Sequence, residues 1–441
     1  MRTVKWILPV LTMCFSALPL TAQCEESVQT LAPPNTSASL TFAGTSNGNL
    51  GGSTSVSNVN IHTLLYPGHT TKVLAHYLPW WADPASRRVS VGYRSDDPAQ
   101  ALRTFKDMQA RGVDGVIVDW YGQTDTHGGQ PDTRDQPEPI DVAWRKSMPV
   151  LAKFPDLSFS IMVDSGTYSF NRCKDCDVTQ TVLSQLDYIS RTYFSSRQYL
   201  RYNGHPVVFE FGMDWSGKVD WSRIQAAHPE ISWIHIHKQG FDRDYSAGAF
   251  VWVTAGPAAH KVSVANLSQL KEFYRYARTE PAKIATGGVF KGFDDDLASW
   301  AKPKEKQYMP QACGNTWLQT FDLVNQNYSA TRQLPFLQLI TWNDYEEGTA
   351  LEPGIDNCVT LQTHLSGNAL AVKLSHAATV DHLELYESLA GGGFRLMNRY
   401  APATAVIALP ASASGTLYLK AVGKPFFRNV LSSPIMVGRS E

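Results

Sequence analysis

Charge of either sign is in short supply in this chain. Lys and Arg number 39 against 40 Asp and Glu, a net −1, and charged residues make up 18% of the 441. That balance lacks the basic footprint of nucleic-acid binding and gives no surface that seeks polyanions. No G-x-G-x-x-G follows the first strand candidate, so a dinucleotide fold has no support, and no phosphate-cradling loop is found. Beyond the N-terminus no apolar run approaches the length that crosses a bilayer. Tryptophan is missing from the last 99 residues, although the chain has 12 and eleven fall between Trp80 and Trp342. Apolar content, by contrast, is ample at 43%, which excludes bulk disorder. A length of 441 residues exceeds a usual single domain, so a Trp-rich body with a smaller, chemically different tail is expected.

Residues 1–22 read as an export leader. Arg2 and Lys5 precede the apolar run Ile7 to Leu20, and Ala22 supplies a small residue at its end. The mature chain is therefore expected to be soluble and exported, secreted or periplasmic. A lipoprotein anchor at Cys24 is disfavoured because Gln23 stands where a small residue is needed. Without Cys14 of the leader, Cys24, Cys173, Cys176, Cys313 and Cys358 remain, so at least one stays unpaired or modified. Cys173 and Cys176 have CxxC spacing without the second pair that zinc requires, and a local loop disulfide is the expectation; other pairings stay open. Residues 23–71 form a Ser-, Asn- and Gly-rich lead-in, flexible or weakly ordered up to residue 60. Its Gly44-Thr-Ser46-Asn-Gly48 fits a serine-hydrolase pattern, but no strand precedes it and no helix follows, so it carries no nucleophile.

From residue 72 short apolar runs alternate with helical periodicity. Strands are expected at Val73–Leu78, Gly115–Trp120, Leu157–Val163, Pro206–Phe211, Ser232–His237, Ala249–Val253, Lys283–Val289 and Phe336–Trp342. Most are near-continuously apolar, as strands buried on both faces are. A helix follows Asp96 or Asp97, with Pro98 in its first turn, Leu102, Phe105 and Met108 on one face, and Gly112 at its end. Further helices are expected at Thr179–Phe194, Leu267–Arg278 and Thr316–Val324. Eight strands with intervening helices predict an α/β fold, a (β/α)8 barrel of the TIM type over 72–356. An open doubly wound sheet is the alternative. Over 357–441 short alternating strands separated by Gly, Ser and Pro turns predict a small antiparallel β-sandwich. Its candidates are Val359–Leu361, Ala369–Leu374, His382–Glu387, Phe394–Arg399, Ala405–Leu409 and Thr416–Val422. A packing or spacer role suits this Trp-free tail at least as well as sugar binding.

Side chains at the C-terminal ends of barrel strands converge on one mouth. Strand one ends in His76, Tyr77 and Trp80; strand two in Asp119, Trp120 and Tyr121, with Asp125 just beyond. Asp164 ends strand three, Glu210 strand four, and His235 and His237 strand five. Trp252 lies on strand six, and strand eight runs into Trp342, Asn343 and Asp344. Carboxylates and indoles thus alternate around one rim, the composition that sugar rings call for with their apolar C–H faces and hydroxyl edges.

The strongest local signal is Thr341 to Pro353 (TWNDYEEGTALEP). Asp344 and Glu347 are three apart, and one helical turn sets both on one side. Two carboxyls can divide the labour of glycoside cleavage, one giving a proton to the leaving oxygen while the other activates water or attacks carbon. Glu346 is expected to point elsewhere, into solvent or in a supporting role. A capped acidic loop or a calcium site built from these oxygens is the bland alternative.

This stretch resembles the strand-eight motif of glycoside hydrolase family 71, the endo-α-1,3-glucanases, and of the related family 99 endo-α-mannosidases. Val73–Trp81 (VLAHYLPWW), Gly112–Gly122 (GVDGVIVDWYG) and Gly292 to Asp295 (GFDD) add to the likeness, which runs in order over residues 72–355. The resemblance implies a barrel that hydrolyses an α-linked polysaccharide, most directly α-1,3-glucan. It implies Asp344 and Glu347 as the catalytic pair and Asp125 as a third acidic participant. Family 99 has Glu where this chain has Asp344, so the Asp-x-x-Glu form is closer to family 71. At strand two, family 71 usually reads Asn-Ile where this chain has Asp119-Trp120.

On this reading the chain is an inverting endo-α-glycanase with Glu347 as acid and Asp344 as base, the reverse assignment remaining open. No cofactor is called for. A non-catalytic polysaccharide-binding barrel is the second reading, and a family 99-like α-mannanase a third. His235-Ile-His237 sets two imidazoles on one strand face and gives a fourth, a metal-dependent hydrolase.

Overall fold

A computed structural model describes residues 56–82, 89, 91–122, 137–166, 177–213, 219–260, 262–298, 301–302, 304–390 and 392–438. The expected leader, Cys24, Asp125 and the Cys173–Cys176 pair lie outside the described residues.

The eight apolar runs are parallel strands of one closed barrel. In chain order they are β1 Lys72–Tyr77, β2 Gly115–Trp120, β3 Ser158–Asp164 and β4 His205–Phe211. Then come β5 Ser232–Ile236, β6 Gly248–Phe250, β7 Ile284–Phe290 and β8 Phe336–Ile340. Each pairs with the next, and β8 closes onto β1 from Lys72 opposite Phe336 to Ala75 opposite Leu339. Alternate residues face inward, where Leu74, Ile117, Met162, Phe209, Ile234 and Phe250 fill the barrel as one apolar cluster. Their neighbours, among them Val73, Val116, Val118 and Val208, face out under the helices. Burial on both faces is why these strands read as unbroken apolar runs.

Among the described residues the α-helices are α1 Pro98–Ala110, α2 Pro137–Leu151, α3 Val178–Tyr193, α4 Trp221–Ala227, α5 Ser268–Thr279 and α6 Asn315–Asn327. Asp97 caps α1 by accepting from the N–H of Ala99, and Phe105 and Met108 are buried beneath it. The sequence reading passes over α2 because prolines break its text. The first of them, Pro137, opens the helix, where no intrahelical N–H is required. After β5 the chain makes only a 3-10 turn, Lys238–Asp242. After β8 no helix forms before the sandwich.

Two antiparallel sheets make up the tail. One holds β9 Leu361–Ser366, β10 Ala369–Leu374 and β13 Val406–Ala408. The other holds β11 Val380–Ser388, β12 Phe394–Tyr400, β14 Gly415–Gly423, β15 Val430–Leu431 and β16 Ile435–Val437. Leu370 and Ile407 of the first sheet share a core with Leu383, Leu385, Leu417 and Leu419 of the second. The first strand begins at Leu361, not at Val359, and β15 and β16 are too short to stand out in sequence.

The sandwich is fastened to the barrel beside β8. Phe426 lies edge-on to Trp317 and Trp342, with centroids 5.7 and 6.2 Å away. The buried guanidinium of Arg111 sits 5.2 Å from the Trp342 and Phe426 rings. Its charge is met by Asp107 at 2.6 Å and by the carbonyls of Leu351 and Glu352 at 3.2 and 3.1 Å. Cys313 is disulfide-bonded to Cys358, a pairing the sequence left open. The end of the lead-in is ordered here rather than flexible: Val56 and Ser57 are buried, and the Ser57 N–H donates to the Phe427 carbonyl at 2.9 Å.

Candidate active site

The loop after β8 is held by its own hydrogen bonds. The Asp344 N–H donates to Thr341 Oγ1 at 2.8 Å, Thr341 Oγ1 meets Thr349 Oγ1 at 3.0 Å, and the Ala350 N–H returns to the Asp344 carbonyl at 2.8 Å. Asp344 Oδ1 accepts the N–H groups of Glu346 and Glu347 at 3.0 and 2.9 Å. Two such donors stabilise negative charge on that oxygen. Gly348 closes the turn at φ +64°, where a side chain would also crowd the Asp294 carbonyl at 3.1 Å.

Glu347 is in the opposite situation. Burial first, then the negative charges of Asp344, Asp295, Asp164 and Glu346, push its carboxyl well above the ordinary range. The residue keeps partial access to the cleft, so water tempers the desolvation, but all four neighbouring carboxylates act in the same direction. The loop therefore sets a carboxyl pushed toward its protonated form beside one whose Oδ1 accepts two N–H groups, an arrangement suited to acid–base cleavage.

Both line a cleft of about 350 Å³ at the C-terminal mouth of the barrel. The period of two along each strand explains what joins them. His76, Asp119, Asp164, Phe211 and Trp252 each lie two residues beyond an interior residue (Leu74, Ile117, Met162, Phe209, Phe250), so they form the next inward layer and face the cleft. Trp80 and Tyr121 add aromatic surface. The Trp252 ring is edge-on to His76 at 4.7 Å and to Phe211 at 5.1 Å. Burial pushes the His76 imidazole down to about 3, so it is neutral at working pH.

The same parity turns other expected rim residues away. Tyr77 packs outward against Trp144, 6.2 Å between centroids. Trp120 donates from Nε1 to Asp141 Oδ1 at 2.9 Å and stacks on Tyr188. Glu210 is fully buried outside the barrel, its Oε2 3.1 Å from His235 Nδ1, with the Met213 N–H on Oε1. His237 opens on a separate cavity. Trp342 lies under Phe426, as described above. Asn343 serves the backbone: its Oδ1 accepts the Leu78 N–H and its Nδ2 donates to the Leu78 carbonyl, both at 2.9 Å. Glu346 is buried, not solvent-facing, because its N–H is turned onto Asp344 and the residue folds into the protein.

The strand-end reading also names Tyr121 on the rim, and that residue does line the cleft; the reading gave no role to Phe211 or Met162, although the two-residue step identifies Phe211. It also passed over Glu352. This buried carboxyl accepts the Tyr93 and Tyr345 hydroxyls on Oε2 at 3.1 and 2.9 Å, and burial pushes it up to about 8. Among the described residues no three His, Cys, Asp or Glu side chains gather as a metal site.

The site and fold together define a (β/α)8 barrel with an acidic, aromatic-lined cleft at its C-terminal mouth. No family model matches the chain, and no curated protein sequence matches it. Among solved structures it is similar to a GH99 endo-α-mannosidase from Bacteroides thetaiotaomicron in complex with bis-tris-propane, at 14% identity and a TM-score of 0.46, over 64% of this chain and 87% of that one. A second structure of the B. thetaiotaomicron GH99 endo-α-mannosidase gives 15% and 0.44 over 64% and 87%. A glycoside hydrolase-like protein gives 14% and 0.39 over 64% and 86%.

Proposed function

We propose that the chain is an exported glycoside hydrolase that cleaves an α-linked polysaccharide, α-1,3-glucan first among candidates, by an inverting acid–base mechanism. The observation that carries this reading is that Glu347, its carboxyl pushed well above the ordinary range by burial and four neighbouring carboxylates, and Asp344, its Oδ1 held by two N–H donors, line one aromatic-lined cleft. Glu347 gives its proton to the leaving glycosidic oxygen, and Asp344 takes a proton from the water that attacks the opposite face of the sugar. Trp80 and Trp252 offer apolar faces to the ring, and Asp119 and Asp164 accept from its hydroxyls. Export rests on the leader-like residues 1–22. The test is release of reducing ends from insoluble α-1,3-glucan beside α-mannan, by wild type, Asp344→Asn and Glu347→Gln. Each variant is expected to lose activity by at least about a hundredfold while still binding polymer. Turnover that survives both changes overturns the assignment, and turnover of mannan alone moves the substrate to the family 99-like reading.

A further inference from the structure

A second cavity, about 220 Å³, opens beside the first. Val251 lines it while the next residue, Trp252, lines the catalytic cleft, so the two back onto each other across the end of β6. His237, at the end of β5, places it at the same mouth of the barrel. We infer that this cavity is a remote subsite for a further sugar unit of the polymer whose cleavage is proposed above, and the inference rests on that reading.

Its chemistry is that of a neutral, hydroxyl-bearing ring. Lys238 looks like an anion hook, but its Nζ is 2.5 Å from Glu272 Oε1 and lies over the Tyr276 ring, so its charge is already met. Burial holds the His237 imidazole below its ordinary range, against the opposing pull of Glu210. What remains for a ligand are the uncharged groups of Gln239, Thr254 and Gln269, all exposed, around buried Val251 and Phe273. An apolar floor with neutral donors and acceptors suits a sugar and not a phosphate or a cation.

The backbone at His237 adds an independent sign. It has φ 62° and ψ 172°, a region that glycine ordinarily occupies. Hydrogen bonds hold it there: its N–H donates to the Phe250 carbonyl at 2.7 Å, and its own carbonyl accepts the Gly240 N–H at 3.1 Å. A side chain kept where glycine would be easier is one the site uses.

The experiment compares kcat/KM along a series of α-glucan oligosaccharides of rising length for wild type, His237→Gly and the double variant Gln239→Ala/Gln269→Ala. Substrates too short to span both cavities are expected to be cleaved equally by all three. Longer ones are expected to lose about tenfold in the variants, through KM, the effect of one or two neutral hydrogen bonds. His237→Gly is expected to melt no lower than wild type, which separates a binding role from a structural one. Equal losses at every length, or none at any, overturn the subsite. If wild type cleaves neither α-glucan nor α-mannan, the hydrolase reading has failed and calorimetric binding of the same series decides the cavity. Affinity that rises with length in wild type but not in the double variant supports the subsite, and parallel affinities refute it.

Discussion

At the residue scale two chemically similar groups, Asp344 and Glu347, are set in different surroundings. On the proposed mechanism the raised carboxyl of Glu347 predicts a rate that falls on the alkaline side as this residue loses its proton. Asp295 contributes to that elevation from outside the cleft lining, its Oδ1 occupied by the Gln307 N–H at 2.8 Å. Asp295→Asn keeps an acceptor there and removes a negative charge. The alkaline limb of the kcat profile is therefore expected to move to lower pH, and a limb that stays in place would show that Asp295 does not tune the acid. Glu352 makes a separate forecast about stability. Its carboxyl rises from an ordinary 4.5 to about 8 in the fold, so the native state binds more protons than the unfolded chain between those values. Its contribution to stability therefore falls as pH climbs through that window, by at most about 1.4 kcal/mol per pH unit. Urea titrations across pH 5–8 are expected to show a flatter profile for Glu352→Gln than for wild type.

At the scale of elements, Asn343 joins the end of β1 to the end of β8. Its side chain bonds both polar groups of Leu78, and its carbonyl accepts the Trp81 indole N–H at 3.1 Å. Asn343→Ala removes the side-chain bonds and is expected to cost about 2–3 kcal/mol in urea unfolding, with a fall in kcat as Trp80 and Asp344 lose a common reference. Asn343 also shows where sequence reading stops. Its position in the strand-eight motif was visible, but hydrogen bonding to backbone across 265 residues leaves no local pattern. The strands themselves were legible because burial on both faces writes an unbroken apolar run, and their order followed from the closing of eight into a barrel. The rim was legible by strand end but not by side. Trp120 and Asp119 are adjacent, and only the phase set by Ile117 in the interior tells that the acid faces the cleft and the indole the helices. The turn Lys238–Asp242, standing where a helix would continue the alternation, was hidden because loops carry no period.

At the scale of the whole molecule, the tail braces the loop after β8. Phe426 covers Trp342, and Arg111, beside both rings, holds the carbonyls of Leu351 and Glu352. Phe426→Ala is expected to destabilise the whole chain by about 3–5 kcal/mol and to lower kcat, although the residue lies outside the cleft. A variant that loses stability yet keeps kcat would show the brace to be indifferent to chemistry. The arrangement also sets an order in time. The ribosome finishes β8 at Ile340 and can close the cylinder then, but the side of it next to Trp342 stays uncovered until Phe426 and Phe427 emerge, some 86 residues later. Any product of early termination in that interval leaves the apolar seam under the loop after β8 uncovered. Quality control is therefore expected to recognise a chain ending in that interval by its exposed seam.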